Sequence, residues 1–436
     1  MNFEVLKKNY LKRNILIGVG LIAIVSACIL TFSLAKYRNT QSIQIAKGTI
    51  DYAKYDFKIM AMYQEGDSGY VEISEMPSSG YAINESMSYC SVDNTKDVNA
   101  KLFTNEYGQH VIQGLKKNSK CYLYFDENTK LVDTALGIIE VNLEKPNFSK
   151  TSCSSGCGEA TVGIYEQKTI EGTTYYYRGD VDNNWVSFAG FYWRIIRING
   201  DGTIRMIYAG TDSNVTTGTG TQIQTSAFSP SSNRTEYVGL KYTQGEQHGN
   251  TTNSSIMDIL NSWYSNNLTS YASYIDQNAG FCGDRNMRIG YTWSSQPSST
   301  IYYAASERLI TNKTPSLECN SEDLFTSTGS SKGNKSLSNP IGLITADEVA
   351  MAGGVQSSLN YAYYLYTEQS YWTMSPGTVI MVSNSSSARV FQVSEFGFLS
   401  SGNPVSLAFG VRPVINLRAD VTLSGTGTSS DPYRVV

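Results

Sequence analysis

Apolar and polar positions change their period several times along this chain. Residues 14–35 (NILIGVGLIAIVSACILTFSLA) carry no charge and are mostly apolar, long enough to cross a hydrocarbon core as a helix. Lys7, Lys8, Lys12 and Arg13 stand just before them, which predicts a cytoplasmic tail, 1–13, and an exported remainder. A polar stalk over 36–50 follows. Residues 51–127 alternate as half-buried strands do, with Phe57, Ile59, Ala61 and Tyr63 on one face, Ala100, Leu102 and Thr104 on another, and Tyr122 and Tyr124 after Cys121. Clusters such as Gly66-Asp67-Ser68-Gly69 and Pro77-Ser78-Ser79-Gly80 separate them as turns. The pattern predicts a small β-sandwich over 51–127, then a connector, 128–160, with a short apolar stretch at 131–141.

A larger domain over 161–436 comes next. Two apolar-rich strands flank Asn199-Gly200-Asp201-Gly202 in residues 188–208, a hairpin signature. Residues 211–253 are rich in Thr, Ser, Asn and Gly and read as surface loops. The spacing of Ile256, Ile259, Leu260, Trp263 and Tyr264 predicts a helix capped by Ser255. A second helix begins after Thr345, with Glu348 closing a capping box and Gly353-Gly354 ending it. Short strands are predicted at 379–382, 388–393, 411–417 and 433–436.

The apolar segment 14–35 has three readings. Its length favours a retained anchor. Ser33-Leu34-Ala35 supplies the small residues of a signal-peptidase site. Val25-Ser26-Ala27-Cys28 has a lipobox pattern, but Ile29-Leu30-Thr31-Phe32 continues the apolar run beyond the cysteine. The retained anchor gives a single-pass membrane protein with its C-terminal part outside the cell.

Charge and cysteine usage agree with export. The chain holds 34 Lys/Arg and 38 Asp/Glu, of which six and one lie in residues 1–38; the remainder, 28 against 37, is acidic by nine. An acidic exported part argues against nucleic acid as a partner. Beyond Cys28 there are six cysteines: Cys90, Cys121, Cys153, Cys157, Cys282 and Cys319. An even number in an oxidising compartment suggests bridges. Six allow 15 connectivities; proximity suggests Cys90–Cys121, Cys153–Cys157 and Cys282–Cys319. Neither histidine lies near a cysteine, and no zinc spacing occurs. The 31 tyrosines among abundant Ser, Gly and Asn match the palette of binding surfaces, although Tyr and Thr also simply suit strands.

Four blocks resemble a known group together: 188–208, 341–354 (IGLITADEVAMAGG), 371–377 (YWTMSPG) and 409–420 (FGVRPVINLRAD). Over about residues 140–436 the chain resembles an uncharacterised family of exported proteins from gut Gram-positive bacteria. Its C-terminal domain is similar to the C-type-lectin-like fold shared with sulfatase-modifying factors. The resemblance implies an α+β fold: an N-terminal transmembrane helix, a small β-sandwich, then a C-type-lectin-like domain. The departures matter for mechanism. Lys145-Pro146-Asn147 and Gly402-Asn403-Pro404 are the nearest fragments to the calcium-chelating lectin motif, so lectin-type calcium ligation loses its donors. The last cysteine is Cys319, before the Gly410-Val411-Arg412-Pro413 strand, so the late cysteine pair of formylglycine-generating enzymes is missing.

No cofactor or metal is expected. His248, with Glu246 nearby to orient it, is a possible general base, but a solvated loop histidine is favoured because no nucleophile motif accompanies it. Asp180, Asp182 and Asn183 lack EF-hand spacing. Arg178-Gly179-Asp180 is a tripeptide common by chance. Asp284-Arg285 reads as a structural ion pair. The leading expectation is a membrane-anchored cell-surface protein with a non-catalytic domain that binds an extracellular protein or glycan. An exported enzyme acting on glycans or peptides, and a surface-layer or filament component, are the alternatives. Ligand contact is expected at a polar strand tip, Asn384, Ser385, Ser386, Ser387 and Arg389, with Trp372 behind it; the alternative is a core Trp372 and an ordinary turn.

Overall fold

The computed structural model describes residues 43–45, 57–66, 69–77, 81–104, 110–127, 130–134, 136–142, 145–151, 162–382 and 385–435. The tail 1–13, the apolar segment 14–35, Asn384 and the Cys153–Cys157 pair lie outside them. Among the described residues no helix is long and apolar enough to cross a membrane. Strand predominates over helix. The chain divides into two compact units, Met1–Asn128 and Thr129–Val436.

The first unit contains two sheets around one core. Strands β1 (Ile43–Ile45), β2 (Lys58–Gly66), β3 (Gly69–Ile73), β4 (Tyr81–Ile83), β5 (Tyr89–Val92), β6 (Thr95–Lys96), β7 (Lys101–Thr104), β8 (His110–Gln113) and β9 (Lys120–Glu127) build them. One sheet has the order β3-β2-β9-β5-β6, with β4 also on β9; the other is β1-β8-β7. Residues 43–45, expected in a stalk, are therefore a strand of this unit, paired with Ile112, Val111 and His110. Cys121, Leu123 and Phe125 point into the core with Ile83, Cys90, Leu102 and Ile112.

The alternation expected of β2 is broken. A bulge between Ile59 and Ala61 shifts its register against β9, and one extra residue exchanges the faces of everything beyond it. Ile59 and Met62 consequently pack on the core. Tyr63 stacks on Tyr124 at 4.8 Å and Tyr122 on Tyr89 at 5.0 Å on the opposite face. Cys90 and Cys121, directly opposite across β5 and β9, form a disulfide.

The second unit opens with a hairpin, β10 (Lys130–Thr134) and β11 (Gly137–Val141), where a connector was expected. Ile139 and Val141 belong to the main core, which explains the apolar stretch there. An eight-stranded sheet follows from β12 (Gly163–Thr169), β13 (Gly172–Arg178), β14 (Trp185–Phe188), β15 (Phe191–Ile198) and β16 (Ile204–Gly210), joined by strands Val414–Leu417, Leu423–Ser424 and Tyr433–Val435. A six-stranded sheet combines Gln224–Ala227, Ala408–Val411, Tyr371–Val382, Ser385–Val393 and Leu399–Pro404 with Ile301–Tyr302. Residues 211–253 are not simply surface loops: Phe228, Val238 and Leu240 are buried among these sheets.

Helix α1 spans Ser255–Asn267. Its cap is Ser254, one residue before the expected Ser255. Ser254 keeps an extended backbone, and its hydroxyl accepts the Met257 N–H while donating to the Leu240 carbonyl at 2.7 Å. Ser254→Ala is expected to lower stability by about 1–2 kcal/mol, measured by thermal melting. Helix α2 (Ala346–Ala352) carries the expected capping box of Thr345 and Glu348. All seven of its residues are buried, and Gly353 ends it at φ 124°, a conformation that favours glycine.

Candidate functional site: a charged cleft in the second unit

Buried charge concentrates around α2. A bulge in β15 between Ile195 and Arg197 sets Arg197 directly opposite Arg205 of β16, so two like charges share one face of the hairpin. Opposed like charges destabilise a sheet unless something lies between them. Glu348, third residue of α2, fills that place. Its Oε1 lies 2.9 Å from Arg197 Nε and 2.5 Å from Arg205 Nε, while Oε2 accepts the Thr345 N–H at 2.8 Å. Burial alone raises a carboxylate pKa; here Arg205 and Arg197 outweigh it and hold Glu348 below its ordinary value. Burial also lowers Arg205 to about 10.

The residue before Glu348 belongs to a second cluster of the opposite balance. Arg308 lies between two carboxylates, with Nη2 2.8 Å from Asp347 Oδ2 and 2.6 Å from Asp284 Oδ2. Arg308 sits on a one-turn π-helix, Glu307–Asn312, an uncommon element often found at functional sites. Asp284 occupies the left-handed region at φ 47°, which few non-glycine residues adopt. Burial, with the Asp347 charge adding to it, raises Asp284 to about 6 despite Arg308. The two carboxylates in turn keep Arg308 firmly protonated against the effect of burial.

Both clusters line one cavity of about 80 Å³, together with Thr169, Ile170, Glu171, Ser316, Glu318 and the Cys282–Cys319 bridge. Glu318 crosses its mouth, accepting the Ile170 N–H at 3.1 Å. The five carboxylates that line the cavity are all engaged: Glu171 by Lys332, Glu318 by Ile170, Asp284 and Asp347 by Arg308, and Glu348 by two arginines.

Asp284 and Arg285 do not pair with each other, contrary to expectation. Arg285 turns the other way and donates from Nε to Asp323 Oδ1 at 2.7 Å. That carboxylate also lies 3.1 Å from His248 Nδ1, a close contact without hydrogen-bond geometry, so Asp323, not Glu246, is the carboxylate beside His248. Burial raises Asp323, but the His248 and Arg285 contacts prevail and hold it low. The other histidine, His110, is buried with Nδ1 2.9 Å from Thr104 Oγ1, and burial lowers its pKa.

The expected strand tip does not share this site. Trp372 is fully buried, with its indole N–H on the Ser226 carbonyl at 2.9 Å and its ring edge-on to Phe228; it is a core residue, with no face open to a ligand. Ser386 donates to the Asn233 carbonyl at 2.6 Å and Arg389 to that of Gly402. Ser387 pairs with Ile380 across the hairpin, and Ser385 is exposed. The Arg178-Gly179-Asp180 tripeptide is not an exposed loop motif, because Arg178 is buried and donates to the Ala350 and Met351 carbonyls.

Arg197, Arg205, Arg308 and Asp347 escape a reading of the sequence. The available signal is arginine at positions of the 188–208 hairpin otherwise filled by Ile and Met, since buried arginine demands partners. Compared with family models, curated proteins and solved structures, the chain matches none.

Proposed function

We propose that this is a membrane-anchored cell-surface protein whose second unit, of C-type-lectin-like fold, is a non-catalytic extracellular domain binding a protein or glycan ligand. The two disulfides among the described residues are consistent with an extracellular location. The observation that carries the binding reading is the ion pairing of the cleft, where four of its five carboxylates are held by a cation. Each carboxylate lining it is held by a cation or a backbone N–H. A cation held on a carboxylate competes for the lone pairs that a general base would use. Preformed polar groups in a concave site suit recognition.

The test is an array of glycans and extracellular proteins probed with the full chain in detergent. Retention of a discrete ligand class, lost with Arg197→Ala, is expected. Absence of any retained ligand would overturn the reading. External protease on intact cells should also remove the C-terminal part, and survival of the whole chain would contradict the topology.

An exported enzyme is the second reading, favoured by the His248–Asp323 pair alone. Hydrolysis of model esters or peptides that vanishes with His248→Ala would establish it.

A further inference from the structure

The two charge clusters of the cleft are unequal in opposite senses. In one, a single carboxylate, Glu348, serves two guanidiniums, Arg197 and Arg205. In the other, a single guanidinium, Arg308, serves two carboxylates, Asp284 and Asp347. The first therefore has a formal excess of one positive charge and the second of one negative charge. The halves are fixed together by adjacency, since Asp347 and Glu348 are consecutive residues of α2. The two buried clusters together are neutral and strongly dipolar, while the exposed Glu171, paired with Lys332, and Glu318 add further carboxylates to the lining.

Arg197 defines the positive end. Only its Nε is engaged, by Glu348, and its two terminal amino groups make no bond to the described residues. The side chain is 16% exposed and lines the cavity. A guanidinium so placed offers a planar fork matched to a carboxylate. Arg205 does not compete for that role, because its terminal groups are turned to the Gly280 and Leu343 carbonyls. Asp284 defines the negative end, sharing Arg308 with Asp347 and opening on the same cavity.

We infer that the cleft binds a small zwitterion, a free α-amino acid, with its carboxylate on Arg197 and its ammonium toward Asp284. This rests on the reading of the cleft as a ligand site. A simple anion would leave the negative half uncompensated, and a simple cation the positive half; burying a net charge is costly in either case. A neutral sugar would leave both excess charges without counter-charges. The cavity, about 80 Å³, restricts the enclosed part of the ligand to a few heavy atoms, which favours small side chains.

The test is isothermal titration of the full-length protein in detergent with glycine, L-alanine, D-alanine and L-serine. Acetate, methylamine, glycinamide and glucose are the one-ended or neutral controls. At least one amino acid should bind about 10- to 100-fold more tightly than every control, the loss expected when one charge-assisted contact is absent. Arg197→Ala and Asp284→Asn should each weaken it by about 10-fold or more, with Arg197→Lys between wild type and Arg197→Ala. Melting curves of the variants identify any that fail to fold, and glycinamide against glycine tests the carboxylate contact in the wild-type protein. No heat from any amino acid up to about 10 mM overturns the inference. Binding of glucose in preference, lost with Arg197→Ala, also overturns the zwitterion but leaves the cleft as a ligand site. A blank glycan and protein array with amino-acid binding intact overturns the protein or glycan ligand and supports the zwitterion; blanks in both mean that the cleft is not a ligand site.

Discussion

Glu348→Ala is expected to destabilise the second unit by about 3–5 kcal/mol, the usual result of removing one partner from a buried ion pair. Glu348 and Arg205 are each about 1% exposed at the side chain, so the arginine left behind cannot recover hydration. Arg197 and Arg205 would then face each other across β15 and β16 with nothing between them. The N-terminus of α2 would also lose half of its capping box. The melting temperature of this unit should fall by roughly 5–8 °C. Glu348→Gln keeps an acceptor for the Thr345 N–H, so its loss should be smaller.

Acid titration separates charge from shape. Because Glu348 is held below its ordinary value in the folded chain, its contribution is complete above the unfolded glutamate value, about 4.3. That contribution disappears as pH falls through the lower folded value. Asp284 works oppositely. Raised to about 6, it weakens folding as pH climbs from the unfolded aspartate value to 6 and beyond. Glu348→Gln should therefore lose part of the acid-side decline in stability. An unchanged acid limb would show that Glu348 does not carry it.

Local signals in the sequence correspond to local structure here, and long-range ones do not. The hairpin of residues 188–208 and the capping box at Thr345 depend on neighbours in the chain, so turn residues and spacing disclose them. The bulge in β2 has no such signature: Ile59, Met60 and Ala61 would suit an unbroken strand equally well, yet the slip reassigns Tyr63 to the other face. The cleft is harder still. Arg197 meets Glu348 across 151 residues, and Arg308 meets Asp284 and Asp347 across 24 and 39. No periodicity encodes those separations. Trp372 shows the converse: a Trp next to a polar tip reads as a ligand anchor or as core, and a strand carrying Tyr371, Trp372 and Met374 at almost zero exposure is a central core strand. Burial on both faces, which one sequence cannot show, decides the matter.

Cys282→Ser with Cys319→Ser is expected to have the other large effect, and it reaches the cleft as well as stability. The bridge closes a segment with a sequence separation of 37, for which chain entropy gives about 4 kcal/mol. That segment includes Arg308 of the π-helix, and residues beside the bridge supply more of the wall. Asp284 lies two positions after Cys282, and Glu318, bonded to Ile170 across the mouth, immediately precedes Cys319. Without the bridge, the loop that positions Asp284 and Glu318 has only noncovalent ties. The double variant should therefore melt lower and lose cleft binding even at temperatures where the fold persists. Cys90→Ser with Cys121→Ser offers the comparison, because its separation of 31 predicts nearly the same entropic cost in the first unit. That pair should destabilise the first unit and leave cleft binding unchanged. Equal loss of binding in both double variants would mean that the Cys282–Cys319 bridge has no particular role in shaping the cleft.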